Sequence, residues 1–122
     1  MSRELTLNAT LAYDDDVTTP KTAQITDFIA SVTTALAFQN TQAIPTSQTA
    51  INLGGIAAPR WCMLINRDSV NFIDIKVATG GAIFARLKPG EFCLLPLGGG
   101  AQVPFALADT ATCDLDVMIC SA

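Results

Sequence analysis

The chain has 122 residues, of which half are hydrophobic and only 15% are charged, and its formal net charge is −4. This length predicts a single domain over residues 1–122. Soluble domains average about 25% charged residues, so the low charge predicts that some apolar surface is buried against another subunit. Nucleic-acid binding is not expected, because the seven basic residues form no cluster or stripe: Arg3, Lys21, Arg60, Arg67, Lys76, Arg86 and Lys88.

Neither membrane insertion nor secretion is expected from the sequence. The uncharged and strongly hydrophobic run Phe92–Leu97 is far too short to span a bilayer. Residues 1–5 contain no basic segment followed by an apolar run, so no secretory signal is predicted. We therefore expect a protein that folds in the cytosol or assembles there into something larger.

The four cysteines are predicted to remain free thiols. Cys62, Cys93, Cys113 and Cys120 include no C-x-x-C pair, and the chain has no histidine. Zinc sites need close ligand pairs, and disulfide scaffolds are typical of secreted domains. If Cys113 and Cys120 lie on one strand, they are about 23 Å apart at roughly 3.3 Å per residue, too far to bridge.

The first element is predicted to be a half-buried strand. Leu5, Leu7, Ala9, Leu11 and Tyr13 alternate with more polar residues, which is the period of a strand with one wet face. An acidic and Thr-Pro segment over residues 14–20 follows and predicts a polar loop.

The next segment is ambiguous between a helix and a strand. Apolar residues between Ile25 and Leu36 fit helical spacing, so one short helix within 23–38 is possible. The run Ser31–Thr34 is rich in β-branched residues, and Val32, Thr34, Leu36 and Phe38 alternate. We favour a strand over roughly 31–44.

The second half is predicted to be a series of short strands separated by turn signals. Lys88-Pro89-Gly90-Glu91 fits a type II turn, and Phe92–Leu97, apolar on both faces, is typical of a central strand. The predicted strands are Ala50–Leu53, Trp61–Asn66, Phe72–Val77, Ile83–Leu87, Phe92–Leu97, Val103–Leu107 and a last strand from Cys113 to Ile119. This spacing predicts an all-β fold, either an antiparallel β-sandwich or a jelly-roll-like barrel.

The sequence offers no convincing catalytic, cofactor-binding or metal site, and we expect no enzyme. Without histidine, the commonest general base and the Ser-His and Cys-His pairs are missing. The acidic run Asp14–Asp16 lacks the spacing of a calcium loop. Asp114 and Asp116 share a strand face, where solvent-facing positions explain them better than an acid/base pair. The run Gly98–Gly100 is not followed by the helix of a phosphate loop.

Trp61 carries the remaining alternative. A tryptophan after Pro59 and beside Arg60 can stack on a sugar ring, although such a residue more often covers one end of a core. This keeps open a tail- or fibre-associated binding module that recognises a protein or glycan.

Several segments resemble a family of small virion proteins of tailed bacteriophages. They are Ala50–Gly54, Pro59–Trp61, Leu64–Asp68, Asn71–Ile73, Leu87–Glu91, Ala106–Thr110 and Leu115–Val117, with a looser match over Leu5–Tyr13. The resemblance implies a β-sandwich present in many copies on the virion, without an active site, as a capsid decoration (cement) protein or a small tail component. Its implied partners are the major capsid protein or other virion proteins.

Closed symmetric self-assembly would cover unpaired strand edges, and a trimer is the favoured homo-oligomer. The implied location is the virion, assembled in the host bacterial cytoplasm. No nucleic acid, membrane or cofactor is expected as a partner.

Overall fold

A computed structural model describes residues 4–14, 20–31, 37–56, 58–98 and 103–121. This part of the chain contains ten β-strands and no helix, and it therefore contains no helix that could cross a membrane. The strands are β1 (Glu4–Tyr13), β2 (Lys21–Ser31), β3 (Ala37–Ile44), β4 (Thr49–Ala50), β5 (Pro59–Asn66), β6 (Ile73–Lys76), β7 (Ile83–Leu87), β8 (Phe92–Pro96), β9 (Phe105–Ala108) and β10 (Cys113–Ser121).

The chain divides into two compact units, Met1–Ala35 and Leu36–Ala122, and each is described by itself. The first unit contains one two-stranded antiparallel sheet, β1–β2, hereafter the N-terminal hairpin. The second contains two four-stranded sheets, hereafter the sandwich. The assignment of residues 1–122 to a single domain stays a prediction.

The sandwich has the strand order of a jelly roll. One sheet has the order β3-β10-β5-β8 and the other β4-β9-β6-β7, with every neighbouring pair antiparallel. The pairs β3/β10, β4/β9, β5/β8 and β6/β7 are nested, as if a long hairpin had been folded over so that successive pairs fall in alternate sheets. The predicted all-β, antiparallel sandwich is confirmed, and the described strands form two open sheets rather than a closed barrel.

Side chains from both sheets form one apolar core. In one sheet, β10 and its neighbour β5 each contribute every second residue, and Ile73 and Ile75 of β6 contribute from the other sheet. The core residues are Ile44, Ile51, Ile56, Cys62, Leu64, Ile73, Ile75, Leu87, Leu97, Ala106, Ala108, Cys113, Leu115, Val117 and Ile119. All four cysteines are free, as predicted, and Cys62, Cys113 and Cys120 are buried.

The predicted turn at residues 88–91 is confirmed. Gly90 has a φ of 80°, and the Glu91 amide donates to the Lys88 carbonyl over 2.9 Å. This positive φ at the third position is what a type II turn requires and what glycine provides without strain.

The possible helix within residues 23–38 is wrong for the residues that the structure describes there. Residues 23–31 belong to β2 and residues 37 and 38 to β3, while residues 32–36 lie outside the described parts. Of the strand predicted over 31–44, the part at Ala37–Ile44 is found as β3, whereas Ser31 ends β2. A bulge in β2 explains the apparently helical spacing of Ile25 and Phe28, as shown below.

Two other strand predictions need correction. The strand predicted at Ala50–Leu53 ends at Ala50. The Ile51 amide still donates to the Pro104 carbonyl, but Pro104 has no amide that could donate in return, so the ladder between β4 and β9 stops there. Phe92–Leu97 was predicted to be central, yet β8 is an edge strand of its sheet. Pro96 within it is the sequence signal for an edge position.

Gly54 and Gly55 offer a matched test of the packing beside β3. Both have positive φ values, 67° and 72°. A Cβ on Gly54 would overlap the Phe38 side chain, which packs on the core, whereas a Cβ on Gly55 would meet nothing. We expect Gly55→Ala to lower the free energy of unfolding by about 1 kcal/mol through backbone strain, and Gly54→Ala by roughly 2–4 kcal/mol through strain and overlap. Urea denaturation measures both, and equal losses would contradict the predicted contact with Phe38.

Candidate functional site

The N-terminal hairpin carries a continuous apolar face. Residues paired across β1 and β2 point to the same side of the sheet, and the register pairs Leu7 with Phe28 and Ala9 with Ile25. The apolar face defined by this register consists of Leu5, Leu7, Ala9, Leu11 and Tyr13 from β1 and Ala23, Ile25 and Phe28 from β2, with Lys21 at the turn end.

A β-bulge in β2 makes this face continuous. Ile25 and Phe28 are three positions apart, so in a regular strand they would point to opposite faces. The register shifts between Leu7 and Ala9, which places one extra residue in β2. Asp27 lies within the bulge with a φ of 51°, and its amide donates to the Asn8 side-chain oxygen over 2.7 Å. Aspartate tolerates this left-handed conformation better than most residues.

The opposite face of the hairpin is mainly polar. It carries Thr6, Asn8, Thr10 and Ala12 from β1 and Thr22, Gln24 and Ile29 from β2. Only Ile29 is a large apolar residue there. The hairpin is therefore amphipathic, and its two faces differ in what they can contact.

The apolar face of the hairpin is exposed. Leu11 is 76% exposed, Tyr13 59%, Ile25 56% and Phe28 42%. The sequence correctly predicted a strand at Glu4–Tyr13, but its half-buried character is wrong for Ala9, Leu11 and Tyr13. The physical reason is that a two-stranded sheet has no second layer of its own to cover either face. Isolated two-stranded hairpins are marginally stable in water, so this face is a candidate contact surface.

The exposed apolar residues of the sandwich do not form an equivalent face. They lie on loops, on the edge strands β7 and β8, and on the outer side of β10: Val70, Val77, Ile83, Phe84, Phe92 and Met118. Val77 and Phe84 border a small recess that reaches the core side chains Ile75 and Leu97. Small groups of exposed apolar residues such as this one, and single ones elsewhere, are ordinary on protein surfaces.

Buried polar groups in the sandwich hold turns in place. Asn66 is fully buried, and its amide donates to the carbonyls of Asn71 (2.9 Å) and Leu87 (2.8 Å). Its side-chain oxygen accepts from the Asp68 amide over 2.9 Å. Asn66 thereby fixes the loop after β5 against the end of β7, a structural role that leaves no free polar atom for a ligand.

The buried carboxylate of Asp74 is also fully engaged. Arg86 donates to it through two nitrogens, at 2.7 and 3.1 Å, and the guanidinium lies 3.9 Å from the Phe72 ring centroid. Hydrogen bonding to Asp74 raises the pKa of Arg86. This bidentate pair on paired strands β6 and β7 is typical of a structural ion pair rather than of an acid/base centre.

Among the acidic residues considered in the sequence, Asp114 and Asp116 lie two positions apart on β10. Asp14 is exposed and Asp15 and Asp16 lie outside the described parts, as do Gly99 and Gly100. Asp116 is bound by Arg67 at 2.6 Å and by the Thr41 hydroxyl at 2.7 Å. Within the described ranges, no group of three His, Cys, Asp or Glu residues is placed to hold a metal ion.

The thiols are poorly suited to nucleophilic chemistry. Burial, with a smaller effect of the nearby Cys93, raises the pKa of Cys62 to about 12, and burial raises the pKa of Cys93 to about 11. Burial also raises the pKa of Cys113 and Cys120. The thiolate is the reactive form, so these sulfurs remain protonated near neutral pH.

Trp61 is half-buried on β5 and does not present two open ring faces. The Arg60 guanidinium lies 5.5 Å from its ring centroid, within the range of a cation–π contact. Its strand neighbours are Pro96 on β8 and Cys120 on β10. A sugar would have to compete with Arg60 for that face of the ring.

Comparisons with family models, with curated proteins and with solved structures return no match for this chain. Its function is therefore argued from the geometry of the two units. Sequence analysis identified the β1 half of the hairpin's apolar face but missed the β2 half, because the bulge hides Ile25 and Phe28 from a search for strict alternation. Asp27, which interrupts the apolar residues of β2, was the sequence feature that could have indicated the bulge.

The lowered pKa values of Asp68 and Asp116 predict how the free energy of unfolding depends on pH. Amide hydrogen bonds from Asn71 and Val70 lower the pKa of Asp68 below its usual 3.8, and hydrogen bonds from Arg67 and Thr41 lower that of Asp116. Because both pKa values are depressed on folding, their contribution is present above about pH 4 and is lost as pH falls through the folded values. Urea denaturation between pH 7 and about pH 3 should show a falling free energy of unfolding.

Asp68→Asn and Asp116→Asn should each flatten this dependence while leaving the fold intact. The asparagine oxygen still accepts the amide hydrogen bonds at position 68 but carries no charge to titrate. An unchanged pH slope in the double variant would contradict the assignment of the two carboxylates.

Proposed function

We propose that this chain is a structural protein of a tailed-phage virion, a capsid decoration protein that binds the assembled shell and stabilises it. The observation that carries the proposal is the N-terminal hairpin, whose apolar face is exposed and which has no second layer of its own. A protein with such a surface gains stability by assembling with other molecules. The jelly-roll sandwich and the resemblance of residues 50–122 to small virion proteins support the same role.

The proposal assigns no catalytic activity to the chain. Support comes from the lack of histidine, the protonated buried thiols and the engagement of Asp74 and Asp116 in ion pairs. Its proposed partners are the major capsid protein or other virion proteins and further copies of itself, and its proposed location is the virion. Nucleic acid and membrane are not among the proposed partners.

Binding to shells tests this function directly. The purified chain is mixed with shells that lack it and, separately, with free capsid subunits from the same phage. We expect it to sediment with assembled shells but not with free subunits, because a decoration site spans several subunits. We also expect the melting temperature of the shell to rise, since a ligand that binds only the assembled state stabilises it.

Two results would overturn the decoration role. One is the absence of shell binding; the other is cryo-microscopy that places the chain on the tail. Binding to host cells or glycans that is lost in Trp61→Ala would instead establish the tail- or fibre-associated module. A matched control for that arm is Phe92→Ala, since Phe92 is an exposed aromatic residue on the neighbouring strand β8.

A further inference from the structure

We infer that the apolar face of the hairpin binds the hairpins of other copies of this chain in a closed homo-oligomer. The inference rests on the proposed function and names the partner of one surface. It starts from what the hairpin lacks. Among the described strands, β1 and β2 pair only with each other, so the outer edge of each adjoins no other described strand, and one apolar face is exposed beside those edges.

The size of the face constrains its partner. Strands of ten and eleven residues at about 3.3 Å per residue make a ribbon roughly 33 Å long and 10 Å wide, so one face covers on the order of 300 Å². A standard interface buries about 800 Å² on each partner. The face alone is therefore too small, and the two strand edges must contribute to the contact.

A suitable partner must then combine an apolar surface with strand edges that extend a sheet. A second copy of the hairpin has both on one element. It also fits electrostatically, because Lys21, at the turn end, is the only charged residue among those that define the face. Two such faces in contact oppose no like charges along their length. Closed symmetric assembly of identical chains also covers every edge without leading to open-ended fibres.

Ile25 and Ile29 provide a matched pair of variants. Both lie on β2 and both are 56% exposed, but they point to opposite faces of the hairpin. An aspartate at Ile25 places a charge in the proposed interface, where it is desolvated without a partner. An aspartate at Ile29 lies on the polar face. Val70→Asp, at a residue 78% exposed on a loop of the sandwich, is a control for added charge elsewhere.

Association is measured by sedimentation equilibrium of the full chain at concentrations up to about 100 µM, which lies well above a dissociation constant of about 1 µM. We expect the wild-type chain to form a discrete oligomer, and Ile25→Asp to raise its dissociation constant by about a hundredfold or more. Ile29→Asp and Val70→Asp should associate as the wild type does. A monomeric wild-type chain, or equal effects of the Ile25 and Ile29 substitutions, would overturn the inference.

Hydrogen exchange separates loss of association from loss of folding. In the wild-type chain, amides of β1 and β2 should gain protection as concentration rises, and Ile25→Asp should remove this gain while β5 and β10 stay protected. Protection of the hairpin that does not depend on concentration would contradict assembly through it. These measurements need no phage particle, so their failure leaves shell binding, and with it the proposed function, to be judged by cosedimentation.

Discussion

The sandwich depends on the pairing of its last strand with two strands from much earlier in the chain. Strand β10 lies between β3 and β5, and Cys113, Leu115, Val117 and Ile119 all point from it into the core. The nested order of the remaining pairs follows, because β4/β9, β5/β8 and β6/β7 can form only when the two halves of the chain run alongside each other. Few of these contacts are local, so the turns must hold the strands in register. Asn66 and the Lys88–Glu91 turn do this where β5 and β7 end.

The same requirement for a second layer is the reason that the N-terminal hairpin is proposed as a contact surface. In the sandwich, each sheet covers the apolar face of the other. The hairpin also has an apolar face, made continuous by the bulge at Asp27, but its own strands cannot cover it. About 25 cal/mol is gained for each Å² of apolar surface removed from water. In the proposed assembly, burial of this face against a partner would stabilise the hairpin as burial between the two sheets stabilises the sandwich.

The polar residues of the sandwich contribute to its architecture. The ion pair of Asp74 and Arg86 joins β6 to β7 beside Phe72. Asp116 joins β10 to β3 through the Thr41 hydroxyl and to the residue after β5 through Arg67. Sequence reasoning placed Asp116 on a solvent-facing position of the last strand and gave it no chemistry, but it could not identify its ion partner. Arg67 is far from Asp116 in the chain, and only the pairing of β5 with β10 brings the two together.

The sequence by itself determined the fold class, the last strand and the turn at residues 88–91, because alternation and Pro-Gly geometry are local properties of the chain. It also indicated Glu4–Tyr13 as a strand with one apolar face. Only the tertiary structure decided which strands are edges, which residues of β2 share a face and which apolar face is covered. Periodicity defines the faces of a strand, but burial depends on whether another layer lies against them. For that reason Val117 is in a core, while Leu11, with the same alternation, remains exposed.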